Sequence, residues 1–352
     1  MIAFPKITSP ALTIAIVVLV GLIGFSLFQI FKNVPLFGPI TSSVTKEEKR
    51  IGLLYQRQQI EAVEGVKEGF KEMGYTNVTF EEARIVPGPD MLVEAEEATK
   101  RFVEQGVDLI FTGLELQAIS AVKATKEINS DIPIVFLVNF HDPVKYGLAE
   151  SFKSSENNAT GVVLNLVEVI QKQLEFLKKI NPDIKKIGTF GEGFIVPPVG
   201  EEFYAELKAQ APRLGFEIVE YKTTVSPPEA EKAWYEIAGQ IKSGDIDAVY
   251  HIAGHHFEAQ EEAESKLAGR LGIPMVAPLE DLPNGGHFGY SGDFTEAGKQ
   301  AVVMMDKIFH GIKPSDIPLE FTSKNVLMIY LDRAQKDGIK FPDSMLSISI
   351  IK

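Results

Sequence analysis

Short apolar runs alternate with longer amphipathic stretches between residues 51 and 138. Each run predicts a buried strand, and each stretch predicts a helix with one apolar face. The first helix is expected to end at Gly74, where a left-handed C-cap fits. This alternation predicts a parallel sheet with right-handed crossovers. The predicted strands are residues 51–54, 78–85, 107–111 and 132–138, and the predicted helices are 60–73, 91–105 and 116–128.

The same pattern returns after Gly161, at an offset of roughly 140 residues. GVDLIF at 106–111 is matched by DIDAVY at 245–250, and DIPIV at 131–135 is matched by GIPMV at 272–276. A repeat of this length predicts two similar α/β, Rossmann-like lobes with parallel sheets. The carboxyl ends of their strands would face each other across a ligand cleft.

The amino-terminal region has a different character, because residues 7–31 carry no charge. As a helix, residues 11–31 would be roughly 30 Å long, enough to cross a bilayer. No A-x-A cleavage site follows, so we favour an uncleaved single-pass transmembrane anchor over a removed signal peptide or a buried soluble helix. The positive-inside rule, counted over Lys6 and the basic residues after the segment, would place the large domain in the cytoplasm.

Length, net charge and the lack of cysteine limit the kinds of function that the chain can have. The chain has 352 residues, of which 45% are hydrophobic. It is too long for one ordinary hydrophobic core and has about the length of two domains of common size. A net charge of -13 argues against a nucleic-acid partner. The absence of cysteine excludes disulfides, a thiol nucleophile, cysteine metal sites and a lipidated cysteine anchor.

Two long motifs carry a family resemblance. VFLVNFHDPVKYGLAESF, followed by NNATGV, resembles a signature of the ABC-transporter substrate-binding family that includes tryptophan- and tyrosine-type uptake proteins. GYSGDFTEAGKQAVVMMDKIFHGIKPSDIPLE at 289–320 resembles a second motif of that family, and the similarity covers residues 52–352. The resemblance implies a type I periplasmic-binding-protein fold, a hinge-closing cleft, and an ABC permease with its ATPase as partners. The chain departs from the family pattern at Asn139-Phe140-His141, at Phe294 and at the loop 253–256.

With the three chain crossings that this family implies, we expect the following domains. Residues 1–50 form the transmembrane anchor and tether. Residues 51–157 with 290–320 form the first lobe, and residues 158–289 with 321–352 form the second.

Candidate ligand-binding residues follow the predicted strands, where open α/β sheets bind their ligands. The fourth strand, for example, stops at Val138 and is followed at once by polar and aromatic residues. The candidates are Tyr55, Gln56, Thr112, Gly113, Phe140, His141, Asp142, Glu192, His255, Glu280 and Asp293.

Several of these candidates have a structural explanation as well. Asp142 and Asp293 are suited to hold a ligand cation, but each carboxylate would equally cap the turn or helix that follows. Thr112 and Gly113 precede a helix whose free N–H groups fit a ligand carboxylate, and a plain tight turn also explains the glycine.

The aromatic candidates and Glu192 likewise have two interpretations. Tyr55 and Phe140 either stack on a ligand ring or pack between the lobes, and Gln56 directly follows Tyr55. Glu192 lies in a longer loop that forms either a lip of the cleft or a surface that faces the permease.

The histidines raise the question of a metal site. Clustered histidines and carboxylates bind zinc or nickel, but no H-E-x-x-H spacing is present. We therefore expect polar ligand contacts or solvated loops, with no metal ion and no cofactor. The residues considered are His141, His255, His256 and His287, with Glu192, Glu258 and Glu280.

Other functions find little support. The sequence lacks a nucleophile elbow, a P-loop and a G-x-G-x-x-G after the first strand, which argues against an enzyme. A DNA-binding regulator would have a helix-turn-helix where this chain has an apolar span. We expect a monomeric solute-binding protein, anchored in the cell membrane with its soluble domain outside the cytoplasm, that delivers an amino-acid-like solute to an ABC importer. This function alone is the reason for expecting the orientation opposite to the one that the positive-inside count gives. A membrane-tethered solute sensor that signals through a partner is the alternative.

Overall fold

The computed structural model describes residues 48–86, 90–139, 142–192, 201–223, 229–252 and 258–352. The expected membrane anchor and most of its tether, residues 1–47, lie outside these ranges. Among the helices of the described ranges, none combines the length and the apolar character that crossing a bilayer requires.

Strands and helices alternate along most of the described chain. The strands are β1 (Lys49–Tyr55), β2 (Val78–Arg84), β3 (Leu109–Thr112), β4 (Ile134–Val138), β5 (Ala159–Val163), β6 (Lys186–Glu192), β7 (Glu217–Thr223), β8 (Ala248–Tyr250), β9 (Met275–Val276), β10 (Phe288–Gly292), β11 (Glu320–Phe321), β12 (Asn325–Ile329) and β13 (Ser349–Ile351). The α-helices are α1 (Ile60–Glu72), α2 (Met91–Glu104), α3 (Glu115–Glu127), α4 (Leu166–Ile180), α5 (Glu201–Gln210), α6 (Glu229–Gln240), α7 (Glu258–Leu271), α8 (Phe294–Phe309), α9 (Leu331–Lys336) and α10 (Asp343–Leu346). Short 3-10 helices cover Arg57–Gln59, Ala211–Leu214 and Pro314–Asp316.

Two sheets form the centres of two α/β lobes. The first has the strand order β11-β5-β4-β3-β1-β2, and the second has the order β13-β12-β10-β9-β8-β6-β7. The segment β4-β3-β1-β2 of the first sheet matches β9-β8-β6-β7 of the second, as the sequence repeat implies. Strand pairs in the described residues are parallel except for β10 with β12. The prediction of two α/β lobes with mainly parallel sheets is therefore confirmed.

The chain crosses between the lobes at residues that differ slightly from those predicted from the sequence. β5 pairs with β4, so the chain remains in the first sheet as far as Val163 rather than leaving it at residue 158. β10 pairs with β9 and β12, so the chain returns to the first lobe at α8 rather than at residue 290. The apolar pattern of these short strands shows that they are buried but not which sheet they join.

The first lobe is held together by a close crossing of α1 and α8. A Cβ on Gly65 would lie 2.1 Å from the carbonyl oxygen of Thr295, and a Cβ on Gly298 would lie 2.2 Å from that of Ala62. Glycine at both positions lets the two backbones touch. α1 buries Val63, Val66 and Phe70 in this core and ends before Gly74, whose φ of +83° matches the predicted cap.

The two lobes contact each other through apolar side chains as well as at their surfaces. Leu114 and Leu116, at the start of α3 in the first lobe, pack in the same cluster as Phe203, Tyr250 and Ile252 of the second. Since α3 starts directly after β3, this contact brings the carboxyl edges of the two sheets together.

Candidate functional site

A cavity of about 520 Å³ opens between the two lobes. Its size falls within the roughly 300–1,000 Å³ that small-molecule sites occupy. Both walls come from the segments that follow strands, as expected for an open α/β sheet. The lining residues are Arg57, Gln58, Ile60, Glu61, Arg84, Ile85 and Val86 from the first lobe, and Glu261, Leu279, Glu280, Asp281, Pro283 and Asn284 from the second.

A second cavity of about 10 Å³ lies beside the chain crossings, which is roughly the space one water molecule needs. Asn139 and Phe294 line it from the first lobe, and His251 and Tyr250 from the second. Glu280 lines both cavities, so this residue lies where the two spaces approach each other.

Buried polar atoms without a hydrogen-bond partner concentrate at the facing edges of the two lobes. Ten of the thirteen such side-chain atoms in the described residues belong to strand ends or to the first turns that follow them. Orphaned polar atoms are rare in protein interiors, and each calls for a missing partner. The residues that carry these ten atoms are Gln56, Gln58, Thr112, Gln117 and Asn139 in the first lobe, and His251, Gln260, Glu261 and Asp281 in the second.

The charges of the 520 Å³ cavity are arranged unevenly. Arg57, Arg84 and Glu61 come from the first lobe, whereas the charged residues that the described part of the second lobe contributes are all acidic, namely Glu261, Glu280 and Asp281. Burial, the charge of Asp281 and, to a smaller extent, the charge of Glu61 raise the pKa of Glu280 to about 8. The negative charge that both lobes bring to the cavity thus opposes ionisation of Glu280.

The buried carboxylates surround His251, which directly follows β8 and is fully buried. Its Nδ1 lies 2.6 Å from Oε2 of Glu264, and its Nε2 lies 3.6 Å from Oδ2 of Asp281. Burial alone would lower the pKa of His251, but the charge of Glu264 and the interaction with Asp281 raise it well above its usual value. Burial and the charge of Asp281 raise the pKa of Glu261 to about 7.

Four residues predicted from sequence lie at the edge of the first sheet. Thr112 is completely buried and its Oγ1 has no partner, and Oε1 of Gln56 is likewise buried without one. The hydroxyl of Tyr55 donates to Oε2 of Glu82 at 2.5 Å, which together with burial raises the pKa of Tyr55 to about 12. The N–H of Gly113 donates to the carbonyl oxygen of Leu54 on the neighbouring strand β1, and a Cβ at Gly113 would lie 2.8 Å from Cβ of Gln59, so close packing accounts for this glycine.

The two aspartates form the caps that sequence reasoning gave as alternatives. Oδ1 of Asp142 accepts hydrogen bonds from the N–H groups of Val144 at 2.8 Å and Lys145 at 3.4 Å. Oδ1 of Asp293 accepts from the N–H of Glu296 at 3.2 Å, at the start of α8. These bonds explain both carboxylates structurally, and a contact of either with ligand stays a prediction.

The remaining predicted residues are distributed as follows. Glu280 lines the cleft as expected from its position after β9. Phe140, His141 and His255 lie outside the described residues, as does the side chain of Glu192 at the end of β6. His287 belongs to the core, because its Nδ1 accepts from the N–H of Met275 and its Nε2 lies 3.1 Å from Asp337.

Sequence reasoning missed His251, Glu261 and Asp281. His251 occupies the position after β8 that corresponds to Thr112 at the end of β3, so the internal repeat contained the signal. Asp281 is the neighbour of Glu280, and Glu261 shares the inner face of α7 with Glu264. Nothing in the local sequence shows that these three side chains converge, because they come from three separate elements.

Solved structures of similar fold cover most of the chain. The ABC domain from Streptococcus pneumonia in complex with L-Trp has a TM-score of 0.68 at 20% identity, covering 87% of this chain and 99% of that one. A conserved domain protein from Vibrio cholerae has a TM-score of 0.68 at 21% identity, with 87% and 99% covered. A ligand-free, open substrate-binding protein with adhesive properties from Clostridium difficile has a TM-score of 0.66 at 21% identity, with 86% and 99% covered.

The match to a family profile is more specific than the likeness in fold. No curated protein gives a significant match to the chain. The profile described as ABC transporter substrate binding protein matches residues 56–350, which include both lobes and the cleft between them. The chain therefore belongs to the family of ABC transporter substrate binding proteins, which bind a small solute and partner an ABC transporter rather than catalysing a reaction.

Proposed function

We propose that this protein captures an amino-acid-like solute in the 520 Å³ cleft and delivers it to an ABC importer while anchored in the cell membrane. The observation that carries the proposal is the charge pattern of the cleft walls, where the first lobe contributes Arg57 and Arg84 and the second lobe contributes Glu280. A solute that pairs these groups through charge-assisted hydrogen bonds would be bound firmly.

The charges of the cleft favour a solute with an ammonium group. Glu280 of the second lobe is close enough to Glu61 of the first for the Glu61 charge to raise its pKa. A cation placed between the two carboxyl groups would lower the raised pKa of Glu280, favour its ionised form and attract both lobes at once. Charge-assisted hydrogen bonds of this kind are roughly twice as strong as neutral ones.

The first lobe supplies groups suited to a carboxylate. Arg57 and Arg84 line the same cavity, and a guanidinium group binds a carboxylate through two parallel hydrogen bonds. A solute that carries both charges, with its ammonium toward Glu280 and its carboxylate toward the arginines, matches both walls. This charge pattern is that of a free amino acid or a close relative.

Binding between the lobes would also explain how the protein signals occupancy. A solute that contacts both lobes stabilises the closed form through interactions that the open form cannot make. A permease that distinguishes the two forms would then engage mainly the loaded protein.

Membrane anchoring is supported by the apolar segment 11–31, which precedes the described residues. With the domain outside the cytoplasm, the protein would bind the solute before it is transported. Fractionation of cells should leave the full-length protein in the membrane pellet after a high-salt wash, and added protease should digest the domain in intact spheroplasts. Protection of the domain from protease would contradict this orientation.

A thermal-shift screen of the full-length protein in detergent tests the solute class directly. Amino acids, their deaminated and decarboxylated analogues, and polyols should be compared at equal concentration. A solute at a hundred times its Kd stabilises the folded protein by about 2.7 kcal/mol, which raises Tm by several degrees. We expect such a shift with at least one amino acid and none with its single-charge analogues. A shift with polyols alone would contradict the proposal.

A further inference from the structure

Three buried side chains at the base of the cleft direct unpartnered atoms toward one another. They are Nε2 of His251, Oε2 of Glu261 and Oδ2 of Asp281, and each lacks a hydrogen-bond partner. The exposed fractions of the three residues are 0%, 3% and 2%. Potential ligand atoms of the three residues all lie within 4.8 Å of one another. We propose that His251, Glu261 and Asp281 form a binding site for a divalent transition-metal ion.

The orientation of His251 suits a metal ligand. Its Nδ1 lies 2.6 Å from Glu264, and when a metal ion displaces the proton of Nε2, an imidazole that still donates from Nδ1 presents a lone pair at Nε2. Glu264 is itself held by Nε2 of Gln260, which donates to its other oxygen at 2.8 Å. A carboxylate that orients the remote nitrogen of a histidine is the usual outer-shell partner in metal sites.

The spacing of the inner atoms argues for an ion between them. The 3.6 Å between Nε2 of His251 and Oδ2 of Asp281 is too long for a hydrogen bond. Two ligands of one tetrahedral ion, with bonds of about 2.0–2.1 Å, lie roughly 3.3–3.4 Å apart. A small movement of the side chains would therefore place both atoms on the same ion, and Oε2 of Glu261 could follow.

The composition of the cluster also suits a divalent cation. Glu261, Glu264 and Asp281 bring three carboxyl groups into the protein interior beside a single histidine, and buried charges are normally paired or coordinate metals. One nitrogen and two oxygen donors suit zinc and its first-row neighbours.

The donor residues lie on or next to regular elements of the fold, and an ion can reach them from solvent. His251 directly follows β8, and Glu261 and Glu264 lie on α7. Asp281 lies in a turn where its N–H donates to the carbonyl oxygen of Pro278. Glu261 and Asp281 line the 520 Å³ cavity, which gives an ion a path from solvent. The donors differ from the groups assigned to the solute, which are Glu280, Glu61 and the two arginines, although Asp281 adjoins Glu280 in the same cavity.

Zinc chloride titrated into chelator-stripped, full-length protein tests the site. Isothermal titration calorimetry should give one zinc ion per chain, and His251→Gln should lower the zinc affinity at least about a hundredfold. Glu264→Gln should lower it about 10- to 100-fold, as for other outer-shell carboxylates. His310→Gln, at an exposed histidine that pairs with Asp306, is the matched control and should keep the wild-type affinity. Wild-type zinc affinity in His251→Gln would overturn the assignment.

A measurement on the wild-type protein covers the case in which the buried variants fail to fold. Crystals soaked in zinc chloride should show an anomalous peak about 2.0–2.2 Å from Nε2 of His251. A peak elsewhere, or none, would refute the site. Amino-acid binding measured with a chelator present keeps the two proposals separate, since the solute proposal survives if zinc fails to bind.

Discussion

The backbone N–H of Asp142 in the first lobe donates a hydrogen bond to Oε2 of Glu202 in the second lobe, across 2.6 Å. The ammonium group of Lys145 pairs with the other oxygen of the same carboxylate. Glu202 thus joins the lobes at their surfaces, while Leu114 and Leu116 join them through the apolar cluster. In the proposed mechanism, such contacts set the balance between the open and closed forms that a ligand then shifts.

The Glu202 contact should contribute to closure. Glu202→Gln is expected to weaken solute binding about threefold, because an ion pair of this kind contributes about 0.2–1 kcal/mol. Calorimetry gives the affinity, and small-angle X-ray scattering should show a larger radius of gyration for the loaded variant at limiting solute. Glu236→Gln, which alters an exposed i,i+4 pair with Lys232, is the control. Equal affinities for wild type and Glu202→Gln would exclude a role in closure.

The cap formed by Asp142 can be separated from ligand binding by two substitutions. Asp142→Asn keeps an oxygen that accepts from Val144, so Tm and solute affinity should stay close to wild type. Asp142→Ala removes the acceptor and should lower the free energy of unfolding by about 1 kcal/mol. If Asp142→Asn instead weakened binding tenfold, the carboxylate charge itself would be contacting the solute.

Removal of the Tyr55 hydroxyl should affect stability in a pH-dependent way. Tyr55→Phe deletes the hydrogen bond to Glu82 and is expected to lower the free energy of unfolding by about 1 kcal/mol at pH 7. This hydrogen bond, foremost, holds the pKa of Glu82 below its usual 4.5, and Lys67 adds to the effect. A lowered pKa contributes stability that is complete above pH 4.5 and is lost as the pH falls through the folded value.

The difference between wild type and Tyr55→Phe should therefore shrink as the pH falls below 4.5. Urea unfolding at several pH values measures it. A difference that grew under acid conditions would contradict this sign.

The helix crossing predicts opposite effects for two Gly→Ala substitutions. Gly298→Ala would place a Cβ 2.2 Å from the carbonyl oxygen of Ala62 and should lower the free energy of unfolding by about 1–3 kcal/mol. Gly239→Ala, on α6 with nothing within 4 Å, should raise it by about 0.5–1 kcal/mol. Denaturant unfolding compares the two, and tolerance of Gly298→Ala would mean that the helices do not touch there.

Much of the fold could be predicted because the apolar pattern is regular and appears twice. β1 to β4 and β6 to β9 follow the predicted order, since their buried runs alternate with amphipathic helices. β5 was expected after the crossing, because its sequence ATGVV shows burial but not that it pairs with β4.

The site could be predicted in outline only. Position after a strand was enough to find Thr112, Gln56 and Glu280 at the facing edges. Asp142 and Asp293 could not be resolved from sequence, since a ligand contact and a cap require the same carboxylate in the same place. The convergence of His251 with Glu261 and Asp281 depends on how β8, α7 and the turn after β9 pack, which no local pattern encodes.

The recognition of an ammonium group by Glu280 is the central claim, and calorimetry on matched ligands tests it most directly. The amino acid that gives the largest thermal shift should be titrated, with its deaminated analogue, into wild type, Glu280→Gln and the Glu236→Gln control. We predict that Glu280→Gln weakens amino-acid binding more than about tenfold, that Glu236→Gln does not, and that the deaminated analogue binds wild type and Glu280→Gln equally weakly. Full affinity of Glu280→Gln for the amino acid, or tight binding of the deaminated analogue to wild type, would contradict the claim.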